Sequence, residues 1–372
     1  MQRLLVVLML ALVACAPTSV RQLDSFVERK PDPKLDQGAH NAPVEWWYVN
    51  GHLETPSGPK GFAAAIFQVL IPPNLTVNGV SAANLIPGPL YFGHYSTVDK
   101  TTGRFQYAEL STLPTATPDI KAHSASASKQ QTDVRLGDWR MVRDANDVFN
   151  MNFKLSDGTD NLQIRLEPTR PLVVHGPGWS GSRETGRMYY YSATRLRVTG
   201  TMNDQPVSGI AWFDHQWGGG FGLDASGVDG GDGSASLNPR WDWFSLQLED
   251  GRDIMVYRVK NARGGIADEY VSVNTPDGRV TSSRNFSLRP LSTHKASSGA
   301  EYPVLWVLRL ESGERFEIVT LANNQEVRSE ATAGFSYYEG AVRVSGPSNG
   351  VGYMELTGYG PMRNLLNPFG QR

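Results

Sequence analysis

Ala211-Trp212-Phe213-Asp214-His215-Gln216-Trp217-Gly218 packs a carboxylate, an imidazole and two indoles into one short run near the middle of the chain. Asn203-Asp204 just upstream is a tight turn, and residues 206–211 read as a strand entering the run. Side chains alternate along a strand. Trp212, Asp214 and Gln216 therefore share one face, and Phe213, His215 and Trp217 the other. His215 and Trp217 project together, a titratable group beside an electron-rich ring able to face a developing cation. The plainer alternative is a Trp-rich strand whose His and Asp satisfy buried hydrogen bonds.

The same alternation extends outward. Short runs rich in Val, Ile, Tyr, Phe and Trp predict strands over 45–54, 61–70, 90–99, 134–142, 148–155, 162–167, 188–200 and 207–214. A second series follows over 241–250, 254–260, 270–275, 303–310, 315–321, 335–345 and 352–358. Asp157-Gly158, Asp250-Gly251 and Asp277-Gly278 are hairpin dipeptides, and Ser312-Gly313 marks a further turn. No segment has sustained helical periodicity, though the connections around Asn84 and from Ser111 to Lys129 have room for a short helix. Between the two series, residues 218–240 are crowded with Gly, Asp and Ser and read as an interdomain loop or a lid. Asp229-Gly230-Gly231-Asp232-Gly233 within it lacks the repetition and closing Glu of a calcium loop and reads as ordinary loop. An all-β chain of two domains follows, built as barrels or sandwiches rather than parallel α/β layers.

The 35 basic and 37 acidic residues nearly cancel, and no basic run occurs, which argues against nucleic acid as a partner. At the N-terminus, Arg3 precedes an apolar run over 4–14 that is too short to span a bilayer. Leu12-Val13-Ala14-Cys15 has the form of a bacterial lipobox, so residues 1–14 read as a lipoprotein signal peptide. Cys15, the single cysteine, would carry the acyl chains and anchor the protein to a membrane surface. An ordinary cleaved signal is the alternative. Ala16 rather than Asp after the cysteine favours, in a Gram-negative host, the periplasmic side of the outer membrane. Residues 15–36, polar and proline-bearing, suit a tether.

Val44-Glu45-Trp46-Trp47-Tyr48 with Gly51-His52-Leu53 resembles the opening motif of the lipocalin-like AttH and carotenoid 1,2-hydratase family. Tyr190-Tyr191-Ser192-Ala193-Thr194-Arg195-Leu196, residues 209–218, Trp241-Asp242-Trp243-Phe244-Ser245-Leu246-Gln247-Leu248 and residues 352–359 also match it, in family order. The resemblance implies two lipocalin-like β-barrel domains in tandem, over 37–217 and 241–372, with an apolar pocket. Carotenoid hydratases of the family protonate an isoprenoid double bond and add water to the tertiary cation. Their His-x-Trp matches His215 and Trp217, and an acid from the following domain matches Asp242. Between Gly218 and Trp241 this chain departs from the family pattern by being longer.

Hydration of an unactivated alkene needs a strong, positioned acid, and a carboxyl whose pKa is raised by burial suits the task. Asp214 and Asp242 are the candidates, with His215 as partner or as base toward the attacking water. Indoles at Trp212, Trp217, Trp241 and Trp243 would stabilise a carbocation through their π faces. Alternation sends Asp214 away from His215 unless a bulge intervenes, and separates Asp242 from Trp241 and Trp243. The catalytic set is therefore read as His215, Trp217 and Asp242, with Asp214 structural. Glu45, in a strand packed with aromatics, reads as a buried ion pair with Arg195 or Arg197, or as a supporting catalytic group. His52 and His94 read as core or rim residues. No clustered His spacing suggests a metal, no cofactor is expected, and no Gly-x-Ser-x-Gly elbow supports a serine hydrolase. Two functions stay open. One is an envelope lipoprotein that adds water to a double bond of an apolar isoprenoid or lipid. The other is a non-catalytic lipocalin-like carrier of an apolar ligand. An assembly partner using an exposed aromatic surface is a third, weaker reading.

Overall fold

The computed structural model describes residues 23–71, 76–77, 80–81, 84, 88–113, 122–156, 158–219, 240–261, 263–329 and 335–362. Residues 1–14, read as a signal peptide, Cys15, the Asp157 turn position and residues 220–239, with the Asp229 run, lie outside the described residues. So do most neighbours of Asn84 and part of the connection after Ser111.

Among the described residues, 12 strands between Val44 and Gly218 form one antiparallel sheet, and 10 between Trp241 and Met362 form another. Each unit closes in the same way. Val44–Glu54 pairs with Gln205–Gly218, and Trp241–Leu248 pairs with Gly350–Met362. The first strand of each unit thus lies beside its last at the middle of the sheet, and the sheet curls to either side. The molecule is two lipocalin-like half-barrels in tandem.

Burial explains which strands take the central places. Phe149–Lys154 alternates between buried and exposed side chains, as expected of a sheet with one wet face. Val44–Glu54 and Trp241–Leu248 are buried almost without interruption. Both faces of these strands are covered, one by the interior of their own curl and the other by the opposite sheet. Three large apolar clusters follow among the described residues. One fills the N-terminal curl around Trp47, Trp139 and Phe213, and one fills the C-terminal curl around Phe244, Trp306 and Leu356. The third lies in the seam between the sheets, where Tyr48, Ala63, Tyr190 and Trp212 meet Trp243, Tyr257, Ala341 and Tyr353.

The seam is tight and polar at its rim. A Cβ built on Gly61 would lie 2.5 Å from the Tyr353 hydroxyl and 3.0 Å from the Ala341 Cβ, so any side chain here forces its neighbours across the seam to shift. Arg195 places Nη2 at 2.7 Å from Oδ1 of the buried Asp253, and the Thr194 hydroxyl donates to Oδ2 of the same carboxylate at 2.8 Å. Gln247 donates from Nε2 to the backbone oxygens of Thr194 and Ala211 at 2.8 and 3.0 Å.

Three expectations change. The strand read over 134–142 is a hairpin, Asp133–Leu136 and Trp139–Arg143, turned at Gly137, whose φ of 58° suits glycine. Residues 15–36 are not a free tether throughout. From Leu23 onward the segment is docked, with Phe26 stacked on Tyr189 at 4.8 Å and the Val27 amide donating to the Tyr189 hydroxyl at 2.9 Å. Several strands carry too little apolar pattern to have been read, among them Phe105–Ser111, Val173–Ser182 and the largely exposed Ser287–Lys295.

Candidate active site

The central pair of the N-terminal sheet carries different chemistry on its two faces. In register, Tyr48 lies opposite Asp214 and Asn50 opposite Trp212, whereas Glu45 lies opposite Trp217 and Trp47 opposite His215. Tyr48, Asn50, Trp212 and Asp214 face the seam. Glu45, Trp47, His215 and Trp217 face the interior of the N-terminal curl.

In the seam three carboxyls gather among indoles and phenols. Asp214 Oδ1 accepts from Trp212 Nε1 at 2.6 Å and from the Ser192 hydroxyl, which is itself 2.8 Å from His175 Nε2. The Tyr48 hydroxyl donates to Glu339 Oε1 at 2.5 Å across the seam, and Trp241 Nε1 donates to Glu355 Oε1 at 2.7 Å. Glu339 and Glu355 are register partners on adjacent strands. Trp243 donates to the Tyr190 hydroxyl at 3.1 Å and meets Tyr48 and Trp212 edge-on at 5.4 and 6.2 Å. Trp46 stacks over Trp241 at 6.4 Å, and both indoles are partly exposed, as is Glu355. This end of the seam reaches the surface.

Burial pushes the Asp214 carboxyl up to about 7, against the hydrogen bonds from Ser192, Trp212 and Tyr190. Burial also lifts Glu355 to about 7, opposed by the Trp241 hydrogen bond and reinforced by the charge of Asp214. Glu339 is raised well above the usual carboxylate range, first by burial and then by the charge of Glu355. Burial, together with the neighbouring charge that Glu339 and Glu355 feel, disfavours joint ionisation, so these three groups keep a proton to higher pH than free carboxyls do. A neutral carboxylic acid ringed by π faces can give a proton to an alkene and shield the cation that forms.

On the other face, the His215 Nε2 and His40 Nδ1 atoms each lie 2.8 Å from Glu45 Oε1. The His40 amide donates to Glu45 Oε2 at 2.7 Å, and His215 Nδ1 is 2.9 Å from the Tyr191 hydroxyl. Burial lowers the His215 pKa, against the raising effect of Glu45. For His40, burial is outweighed by Asp36 and Glu45, which hold the imidazole at about 9. Glu45 is kept below its ordinary value because hydrogen bonds from His215 and His40 overcome burial. Its charge is therefore met by His40. It is not paired with Arg195 or Arg197, which bind Asp253 and Glu167 instead. The His40 ring stacks on Trp217 at 4.0 Å, and both border a pocket of about 290 Å³ that also takes in Phe26, Arg29, Arg187 and Tyr189. His40, Glu45 and His215 bring their ligand atoms within 4.8 Å of one another, a set able to hold a metal ion. Spacing along the chain, which spoke against a metal, does not reveal such a set, because His215 comes from a strand 170 residues beyond Glu45.

The residues picked out in the sequence thus divide among three places. His215, Trp217 and Glu45 share the N-terminal interior, while Asp214, Trp212, Trp241 and Trp243 share the seam. Asp242 faces the C-terminal core, 2.8 Å from Lys260 Nζ and accepting from the Tyr359 hydroxyl at 2.6 Å. Alternation turns it away from Trp241 and Trp243, and the structure does not bring it to His215. His52 and His94 bridge the sheets, to the Gly352 oxygen and the Tyr337 hydroxyl, each at 2.9 Å. Burial drops both to about 3, so they stay neutral. Sequence reasoning missed Glu339, Glu355 and His40 as site residues. Glu339 after Tyr337-Tyr338 and Glu355 in Tyr353-Met354-Glu355-Leu356 carry the signal that drew attention to Glu45, a lone acid inside an aromatic strand.

A family model described as AttH-like matches residues 32–359. Among solved structures, a candidate AttH of Nitrosomonas europaea is 29% identical, with a TM-score of 0.72, over 91% of this chain and 100% of that one. Kievitone hydratase of Nectria haematococca is 15% identical, with a TM-score of 0.59, over 91% of this chain and 94% of its own. No curated protein matches this chain in sequence.

Proposed function

The chain belongs to the AttH-like family, and from that premise we propose that it is a hydratase-type enzyme acting in the seam on an unsaturated apolar substrate. The observation that carries this reading is the group Asp214, Glu339 and Glu355, carboxyls lifted by burial beside Trp212, Trp241 and Trp243. Glu355, partly exposed where the seam reaches the surface, gives its proton to one alkene carbon. The π electrons form the new C–H bond and leave a cation on the other carbon. Trp241 and Trp243 face that cation. Water attacks it, forming the C–O bond, and the proton lost by the oxonium returns to the carboxylate, so the net change is addition of water. Kievitone hydratase shares the scaffold, which supports the fold's suitability for hydration and nothing narrower.

An isoprenoid or long unsaturated lipid suits a site built from indoles and phenols. Acylation of Cys15, with anchoring at the envelope, is part of the same proposal and rests on the Leu12-Val13-Ala14-Cys15 run. Mass spectrometry of the mature N-terminal peptide tests it, an unmodified cysteine or a different cleavage point being the adverse result. The activity is tested by incubating the protein and Glu355→Gln with envelope lipid extract in oxygen-labelled water. Label in a lipid hydroxyl with wild type alone supports the hydratase. A lipid that co-purifies unchanged and equally with both proteins overturns it in favour of a carrier.

A further inference from the structure

We propose that His40, Glu45 and His215 form a binding site for a divalent transition-metal ion, with an open coordination position toward the neighbouring pocket. The three ligand atoms are of the types such ions select, two imidazole nitrogens and one carboxylate oxygen. They already converge. Both nitrogens lie 2.8 Å from Glu45 Oε1 and all three atoms lie within 4.8 Å of one another, so shifts of about 0.5–1.5 Å would bring them to the ~3.3 Å between ligand atoms held ~2.0 Å from a tetrahedral ion.

The orientation of each ligand is set by groups outside the set. The Tyr191 hydroxyl lies on the far nitrogen of His215 at 2.9 Å, and Asp36 is 3.7 Å from the far nitrogen of His40. The other oxygen of Glu45 accepts from the His40 amide at 2.7 Å and from Gln68 Nε2 at 3.3 Å. Partners on the remote atoms of ligating imidazoles and carboxylates fix tautomer and direction in metal sites; His215 and Glu45 have theirs at hydrogen-bond distance, and Asp36 stands near His40 as a charge partner. Glu45 and His215 have no exposure, while His40 is half-buried on the wall of the pocket. An ion can therefore enter past His40, and its fourth position faces that space, where water or a small anion would complete the shell. The seam acids take no part, so this site stands or falls independently of the proposed hydration.

The test uses the full chain, stripped with a chelator and titrated with zinc chloride by calorimetry, alongside His40→Ala and Glu45→Gln. Cobalt(II) absorption serves as a further probe of coordination. The expected result is one equivalent bound by wild type, a tetrahedral cobalt spectrum, and affinity lower by about tenfold or more in His40→Ala and in Glu45→Gln, each compared after circular dichroism shows it folded. Zinc should also raise the melting temperature of wild type, which needs no variant to fold. Absence of a zinc-dependent shift in wild type, or equal affinity in wild type and His40→Ala, overturns the proposal.

Discussion

Replacing Asp214 by Asn should change how stability depends on pH more than it changes stability itself. Asparagine keeps an oxygen to accept from Trp212 Nε1 and the Ser192 hydroxyl, so the local hydrogen bonds survive. What disappears is an ionisation. The carboxyl has an ordinary value of 3.8 and is pushed up to about 7 in the folded protein by burial. The folded state thus keeps a proton that the unfolded chain has released, and stability falls as pH rises from about 4 to about 7, with no further loss above. Three pH units at ~1.4 kcal/mol each make a loss of about 4 kcal/mol that the variant should not suffer. Urea unfolding at pH 4, 6 and 8, followed by tryptophan fluorescence, measures the difference directly. The variant should gain on wild type across that range, most steeply near pH 5 to 6. Parallel pH profiles for the two proteins would refute the idea that Asp214 is held protonated by the seam.

Turnover in the proposed hydration should decline as pH rises through about 7, when Glu355 and Asp214 lose their protons; a rate that climbs over the same range would assign the proton elsewhere. Gly61→Val should wedge the sheets apart against Tyr353 and Ala341, costing about 1–3 kcal/mol, whereas Gly88→Ala, with nothing within 4 Å, should unfold at the wild-type temperature. Arg195→Met leaves Asp253 buried with Arg170 as its remaining cation at 3.0 Å, and should destabilise by about 3 kcal/mol; adding Asp253→Asn should recover part of that in urea unfolding.

Period-two reading predicted most of the fold because strands buried on a face must alternate or run continuously apolar. It read 90–99 and 335–345 to the residue, and it put Trp212 and His215 on opposite faces. It did not find Ser287–Lys295, which is held by its ladder to Glu301–Arg309 rather than by buried side chains, a contribution that leaves no apolar mark. The site was legible in pieces. Trp212, Trp241 and Trp243 stood out by residue type, and alternation correctly separated Asp242 from the two indoles beside it. Which acid would meet them was not legible, because Glu339 and Glu355 reach the seam from strands about a hundred residues further on. His40 was invisible for a similar reason, since it lies in a stretch with no strand pattern and acts by crossing to Glu45.

The opposite faces of the paired strands Val44–Glu54 and Gln205–Gly218 also bear on how this chain can diverge. Even-numbered positions from 212 to 216 serve the seam, and odd-numbered positions from 213 to 217 serve the inner cluster. Replacement at either parity alters one environment and leaves the backbone, hence the other, where it was. A single inserted residue ahead of Trp212 would instead exchange the two sets, sending an imidazole among the acids and a carboxylate into the curl. Change by substitution is therefore separable here, while change in length is lethal to both sites at once. The interval from the Asn203-Asp204 turn to Gly218 should consequently vary in composition but not in length wherever this architecture is kept.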